Sequence, residues 1–209
     1  MEDNPATYPA QLNIDYPEKS DRFTVFFRLI MAIPILIILG LLIGSDHDPN
    51  HAVHVQYVGT AGILFLPTML MILFRRKYPR WWYDWNLNLV RFCNRIGAYL
   101  LLLRDEYPST DEEQAVQITF PYPDPQNDLH QFLPLVKWLL AIPHLITLAI
   151  LWIVAILCTI VAWFVILLTG SYPRNLFDFV VGVLRWTLRV EAYAFLLVTD
   201  IYPPFSLSE

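Results

Sequence analysis

The polar residues with the most regular spacing in this sequence form a stripe that occurs twice. Its members are Asp84, Asn88, Arg91 and Arg95 in the first occurrence, and Asp178, Arg185 and Arg189 in the second. Residues three and four positions apart share one face of an α-helix, and a guanidinium group can grip a phosphate or a carboxylate through two parallel hydrogen bonds. The stripes therefore predict a surface that binds anionic lipid or an acidic partner. The alternative is a solvated helix face with an internal Asp–Arg network that docks the helix onto its own helical hairpin.

A second group of candidate ligands lies in one short segment, residues 46–54. It contains His47, His51 and His54 together with two aspartates. Imidazole and carboxylate suit Zn²⁺ or Cu²⁺. However, a proline interrupts the spacing between His47 and His51, and no cysteine signature accompanies the segment. The three histidines are therefore weak metal candidates in a solvated loop, and we expect neither a metal site nor a cofactor.

The elements that carry these residues are strongly apolar. The chain is 56% hydrophobic and only 16% charged, with a mean hydropathy of +0.44, whereas about a quarter of a soluble domain is charged. Long apolar stretches cover residues 23–44, 55–74 and 132–169. As one helix, the last would measure about 57 Å, nearly two bilayer cores, so we interpret it as a hairpin of two spans, 132–151 and 153–169. The sequence thus predicts an all-α integral membrane protein with four transmembrane helices.

The same order of features occurs twice, which predicts two tandem repeats with parallel orientation. Ala32-Ile33-Pro34 matches Ala141-Ile142-Pro143, 109 positions later, and Tyr78-Pro79-Arg80 matches Tyr172-Pro173-Arg174, 94 positions later. The difference of 15 is extra chain around residues 45–59. We predict an N-terminal cytoplasmic segment (1–22), a first repeat (11–108), a linker with a short strand (109–131) and a second repeat (117–205).

Each repeat is predicted to contain a short β-strand, a transmembrane hairpin and an amphipathic interfacial helix. The strands are indicated by alternating apolar residues, Leu12, Ile14 and Tyr16 in the first repeat and Ile118, Phe120 and Tyr122 in the second. We expect the strands to pair with each other or with the Asp-x-Tyr-Pro segments that follow each helix. The interfacial helices are predicted at about 81–103 and 175–198. Pro34 and Pro143 should kink the spans in which they lie.

The basic residues indicate the orientation. In the four-span arrangement all 14 lysines and arginines fall on one side, which the positive-inside rule makes cytoplasmic. Both termini would then be cytoplasmic in a multi-pass protein of the bacterial inner membrane. A six-span alternative would let the two stripe helices cross as well. It would place arginines in the membrane core at a cost of roughly 5–7 kcal/mol.

The second repeat also carries a family resemblance. Leu168-Thr169-Gly170-Ser171-Tyr172-Pro173-Arg174, the stripe that follows, and Asp200-Ile201-Tyr202-Pro203 together resemble the bacterial membrane-protein family catalogued as domain of unknown function 4389. The first repeat is a weaker copy, which has Arg76-Lys77 directly before Tyr78-Pro79-Arg80. The resemblance implies a bacterial inner-membrane protein, and the family brings no established activity.

Catalytic motifs are absent from the sequence. It contains no glycine-rich phosphate loop, no Gly-x-Ser-x-Gly and no His-Glu-x-x-His, and the centres of the predicted spans lack the charged residues that coupled transporters use. We therefore expect a non-enzymatic accessory or scaffold subunit. Its expected partners are membrane lipids and another membrane or membrane-associated protein, with no nucleic acid, and self-association is compatible with this role. A lipid or small-solute translocator and a membrane-shaping hairpin protein are the alternatives.

Overall fold

The computed structural model describes residues 8–43, 56–110 and 112–208, so the segment with His47, His51 and His54 lies outside the described residues. The described chain is mostly helical, with six helices and two short strands. In chain order these are β1 (Gln11–Ile14), α1 (Arg22–Ile43), α2 (Gln56–Arg75), α3 (Arg80–Leu100), β2 (Val116–Thr119), α4 (Pro134–Leu140), α5 (Ile142–Thr169) and α6 (Arg174–Ala194).

Helices α5 and α6 form an antiparallel pair. The buried positions of α5 form a narrow stripe at helical spacing: His144, Leu148, Ala155, Ala162 and Ile166. This stripe faces α6, which is buried over most of its length. Gly170 ends α5 with a φ of 81°, a left-handed conformation that suits glycine at a helix C-terminus. The chain can therefore turn within four residues and return along α5.

The first half of the chain builds a similar pair from α1 and α3. Ala32 and Ile35 of α1 pack against Phe92, Ile96 and Tyr99 of α3 in one buried cluster.

The start of α1 also lies against the end of α5. The Trp163 indole N–H donates to the Val25 carbonyl at 3.2 Å, and the backbone N–H of Ser20 donates to the Gly170 carbonyl at 2.9 Å. These contacts join the two helix pairs.

The two strands pair with each other, the first of the two alternatives expected. They are antiparallel, and Leu12 lies opposite Ile118. On both strands the apolar residues are buried, whereas the alternating polar residues Gln11, Asn13, Gln117 and Thr119 are exposed. β1 packs on α6, and β2 packs on α3. β1, which precedes α1 and α3 in the chain, therefore covers the pair of α5 and α6, and β2, which precedes α5 and α6, covers the pair of α1 and α3. The result is three layers: α1 and α5, then α3 and α6, then the sheet.

The hairpin predicted at 132–151 and 153–169 is wrong. Helix α5 runs through residues 151–153 without a break, because Leu151-Trp152-Ile153 contains no residue that favours a turn. The break comes earlier, at Ala141, between α4 and α5. Pro143 is the second residue of α5, where its missing N–H removes no helical hydrogen bond. It therefore lies at a helix start rather than inside a span, whereas Pro34 lies inside α1.

The structure does not support four transmembrane helices. Within the described residues, two segments are long and apolar enough to cross a membrane, Arg22–Leu41 and Ile142–Thr169. A shorter apolar stretch, Phe65–Arg75, lies in the part of α2 whose side chains the structure describes. The amphipathic helices predicted at 81–103 and 175–198 are present as α3 and α6, although both end a few residues earlier than predicted.

Candidate functional site

The outer ends of the two arginine stripes carry exposed ion pairs. Arg80 contacts the Asp84 carboxylate at 3.2 Å, and Arg174 contacts Asp178 at 3.1 Å, both one helical turn apart. Asn88 accepts a long hydrogen bond of 3.5 Å from Arg91. The side chains of both pairs are exposed, so these ends of the stripes lie open to solvent. Exposed pairs of this kind contribute little to stability.

The middle arginine of each stripe holds a strand. Arg91 donates from Nε and Nη2 to the Ile118 carbonyl of β2, at 3.2 and 3.1 Å, and Arg185 donates from Nε to the Leu12 carbonyl of β1 at 3.0 Å. Leu12 and Ile118 are the residues that lie opposite each other in the sheet. The two stripes are therefore brought to the two sides of one strand pair.

The last arginine of each stripe holds the segment that follows its helix. Arg95 donates to the Ser109 carbonyl at 2.7 Å, whereas Arg189 donates to the carbonyls of Ser206 and Ser208 at 3.3 and 2.6 Å. The inner arginines thus hold the strands and the following segments through backbone carbonyls, whereas the alternative interpretation expected an Asp–Arg network. Binding of a partner or lipid by the stripes stays a prediction.

Two polar cavities lie where the stripes meet the sheet. One, of about 380 Å³, is lined by Arg185 and Arg189 of α6 together with both strands. The other, of about 350 Å³, is lined by Arg91, Arg95 and β2. Glu113 lines the second cavity, whereas no carboxylate from the described residues lines the first. Each cavity is thus lined by two arginines.

A buried ion pair in the first half of the chain was not predicted. Arg28 lies inside the protein and forms an ion pair with Asp105. Its Nη1 also donates to the carbonyls of Tyr99 and Arg104, at 2.8 and 2.9 Å, and its guanidinium lies 4.5 Å from the centre of the Tyr99 ring. These contacts fix the end of α3 against α1.

A corresponding buried ion pair lies in the second half. Lys137 of α4 contacts the Asp200 carboxylate at 2.6 Å and donates to the Thr199 carbonyl at 2.7 Å. Its ammonium lies 5.0 Å from the centre of the Tyr193 ring. Arg28 and Lys137 are 109 positions apart, the same interval that relates Pro34 and Pro143. A cation at matching positions of two apolar stretches was the signal that could have revealed both pairs.

His144 is a buried packing residue rather than a ligand. Its Nδ1 accepts a hydrogen bond of 3.0 Å from the Trp186 indole, and its ring stacks on Phe205 at 3.9 Å. Among the described residues, no three histidines, cysteines or acidic residues lie close enough together to hold a metal ion.

Glu191 places an acidic group at a partly buried position of α6. Burial raises the pKa of its carboxyl to about 7. Burial also raises the pKa of the Cys93 thiol on α3 to about 11, and the charge of Glu191 adds to this effect. Because the folded protein holds the Glu191 proton more tightly than the unfolded chain, stability should fall as the pH rises from about 4.5 to about 7.

Glu191→Gln is expected to remove this pH dependence. The variant should be more stable than the parent protein at pH 8 and close to it at pH 4.5, as measured by thermal unfolding in detergent. Glu112→Gln, at an exposed position, controls for the loss of one charge. A parent protein that gains stability from pH 5 to pH 7, with Glu191→Gln following the same curve, would contradict the assignment.

With this geometry established, the chain can be classed as a mostly helical protein that has two membrane-length apolar helices in one layer and a small polar-faced sheet in another. Residues 134–206 match the model of the family described as Domain of unknown function (DUF4389). The matched stretch contains α4, α5 and α6 and the segment after them, and therefore both Lys137 and Asp200. The match supports the resemblance for this part of the chain. No curated protein and no solved structure shows significant similarity to the chain.

Proposed function

We propose that this protein is a non-enzymatic integral membrane protein that acts as an accessory or scaffold subunit. Its polar face would bind a partner protein, anionic lipid or both. The observation that carries the proposal is the separation of surfaces: α1 and α5 expose apolar side chains in one layer, whereas the sheet exposes amides and hydroxyls in another. The arginine-lined cavities lie at the edge of this polar face, where an acidic group of a partner or lipid would fit.

The protein would consist of two copies of one unit. Matched positions make matched contacts, since Arg28 and Lys137 each reach an aspartate and a tyrosine, and Arg91 and Arg185 each hold a strand. The proposed location is the bacterial cytoplasmic membrane with both termini on the cytoplasmic side. The two long apolar helices support a location at a membrane, whereas the bacterial origin and the orientation of the termini stay predictions.

Membrane shaping is the second candidate. A protein whose apolar surface lies on one side inserts more volume into one leaflet than into the other, and such asymmetry favours curvature. Reconstituted vesicles that keep their diameter at high protein-to-lipid ratios would remove this candidate while leaving the scaffold proposal intact.

Photocrosslinking tests the scaffold proposal. The photoreactive residue p-benzoylphenylalanine, placed at Asn13 or Thr119 on the exposed face of the sheet, is expected to give a discrete adduct in native membranes. The mass of the adduct distinguishes a protein partner from a lipid. Ile153, an exposed residue of α5, is the matched control and should give lipid adducts. If the sheet positions give no adduct while the control reacts, the scaffold proposal fails.

A further inference from the structure

The exposed side of α5 is apolar along its full length. Exposed large apolar residues occur in every turn, from one end to the other: Ile142, Leu145, Ile146, Ile150, Ile153, Val154, Ile156, Leu157, Ile160, Val161, Phe164 and Leu168. They cover more than half of the helix circumference, since only a narrow stripe is buried. A surface of this size and length marks contact with lipid or with another protein.

The layers behind α5 lie along the same axis as the helix. Trp186 of α6 donates to His144 near the start of α5, Trp152 donates to Thr187 at 3.1 Å near its middle, and a four-residue turn joins the end of α5 to the start of α6. The two helices therefore share one orientation relative to any membrane.

The segment that contains β1 lies along α6. The Tyr8 hydroxyl donates to the Arg189 carbonyl at 3.4 Å, and at the other end the Tyr16 ring lies 5.0 Å from the ring of Phe177. Between them, Leu12 accepts from Arg185. Twelve residues of α6 thus separate the two ends of this contact, which corresponds to about 18 Å at 1.5 Å per residue.

If α5 crossed the membrane, α6 and the β1 segment would also lie at the depth of the hydrocarbon core. The β1 segment would then run across most of the bilayer core, with Gln11 and Asn13 exposed to lipid and the sheet edges open. Open sheet edges do not occur in lipid-exposed positions, because their backbone groups would lack hydrogen-bond partners. Arg185, in the middle of α6, would also lie near the bilayer centre, where an arginine is costly.

The first half of the chain leads to the same conclusion. α1 packs along α3, and its opposite side exposes Phe26, Leu29, Ile33 and Ile37. β2 and the residues after it lie on α3, where Arg91 holds Ile118 and the Tyr83 hydroxyl donates to the Phe120 carbonyl at 2.5 Å. Behind each apolar helix therefore lies an amphipathic helix and then a polar-faced strand: α3 and β2 behind α1, and α6 and β1 behind α5.

We propose that α1 and α5 lie in the plane of the membrane, immersed in the acyl chains of one leaflet, and that neither crosses the bilayer. Packed helices lie about 8–10 Å apart, so α3 and α6 would lie near the lipid headgroups and the sheet would lie in water. The exposed tryptophans Trp81, Trp85 and Trp138 are the residue type that favours the headgroup level. The inference deepens the proposed function and rests on it only for the presence of a membrane.

Depth measurements on α5 test the in-plane arrangement. Ile146, Ile153 and Ile160 are all exposed and lie seven residues apart, so they share one face of the helix. Each is replaced in turn by a spin-labelled cysteine in a Cys93→Ala, Cys158→Ala background, and the protein is reconstituted in phosphatidylethanolamine–phosphatidylglycerol vesicles. Collision rates with oxygen and with a water-soluble nickel complex then give the depth of each label.

The in-plane arrangement predicts nearly equal depths at the three positions. A spanning helix would spread them over about 21 Å, because fourteen residues rise by that distance, and this result would overturn the proposal. Labels that show protein contact and no lipid collision would overturn it as well, because a second copy or another protein would then cover the face. If the cysteine-free background does not fold, photocrosslinking from the same positions to lipids with depth-specific tags gives the same comparison.

A second, independent test asks from which side of the membrane the two ends of the α4–α5 segment can be labelled. Gln126 precedes α4 and Asn175 lies in the first turn of α6, and both are exposed. In sealed vesicles, single cysteines at these positions should react with a membrane-impermeant maleimide to the same extent, from the same side. Reaction from opposite sides would overturn the in-plane arrangement without bearing on whether the polar face binds a partner, which the crosslinks from Asn13 and Thr119 decide.

Discussion

Asp200→Ala is expected to lower the free energy of unfolding by about 3–5 kcal/mol, because it leaves a buried ammonium without its counter-ion. The Lys137 side chain is 0% exposed and that of Asp200 is 22% exposed. The same substitution removes the carboxylate that accepts the His130 backbone N–H at 2.5 Å. Loss of the aspartate therefore leaves both the Lys137 ammonium and the His130 backbone N–H without this carboxylate.

The exposed pair on α6 provides the matched control. Asp178→Ala also breaks an ion pair, but the side chains of Arg174 and Asp178 are 63% and 55% exposed. A pair of this kind contributes about 0.3–0.5 kcal/mol. The loss of unfolding free energy, measured in detergent, should therefore be several-fold larger for Asp200→Ala than for Asp178→Ala. Each variant loses one carboxylate from the same half of the chain.

Lys137→Met separates the charge from the packing. It removes the buried cation and keeps a side chain of similar length, and Asp200 can still reach water. Its cost should therefore be smaller than that of Asp200→Ala. Asp105→Ala should reproduce the large effect in the first half, where Arg28 is 2% exposed. Equal and small effects of Asp200→Ala and Asp178→Ala would show that the buried pairs are not structural.

Local patterns in the sequence were enough to predict the short elements. The alternation at Leu12 and Ile14 and at Ile118 indicated the strands, but it left open whether they pair with each other or with the Asp-x-Tyr-Pro segments. The stripe spacing likewise predicted the helices now seen as α3 and α6. In each case the signal and the structure it specifies are contained within about twenty residues.

Length alone is a misleading guide to the structure of residues 132–169. A stretch of this length was divided in two on the assumption that each apolar helix crosses a bilayer, whereas the packing divides it at Ala141, before Pro143. The residue pattern around position 152 favours an uninterrupted helix, since no glycine, proline or polar turn residue lies there. Membrane thickness was thus given more weight than local turn chemistry.

Only part of the candidate site could be predicted from sequence. The arginines of the stripes were identified, but spacing does not show that Arg91 and Arg185 reach strands more than twenty and more than one hundred residues away. The buried pair of Lys137 and Asp200 joins residues that are also far apart in the chain. Such contacts follow from how the helix pairs and the sheet pack together, which no local pattern encodes.

Gly182→Ala is expected to release the C-terminal segment from α6. A Cβ at this position would lie 2.9 Å from the Leu207 Cβ and 3.0 Å from the Leu207 carbonyl oxygen. Because one of these atoms belongs to the backbone, the segment itself would have to move, and overpacking of this kind costs about 1–3 kcal/mol. The hydrogen bonds from Arg189 to Ser206 and Ser208 should weaken with it.

Gly97→Ala is the same substitution on α3, where the expected effect is opposite. A Cβ there would meet no atom within 4 Å, so the variant should gain up to about 1 kcal/mol from the higher helix propensity of alanine. Carboxypeptidase digestion and thermal unfolding together distinguish the two outcomes, with faster trimming and a lower midpoint for Gly182→Ala alone. If both variants are stabilised equally and trimmed at the parent rate, the segment at Leu207 does not pack on α6, and the contacts of Arg189 are not what holds the end of the chain.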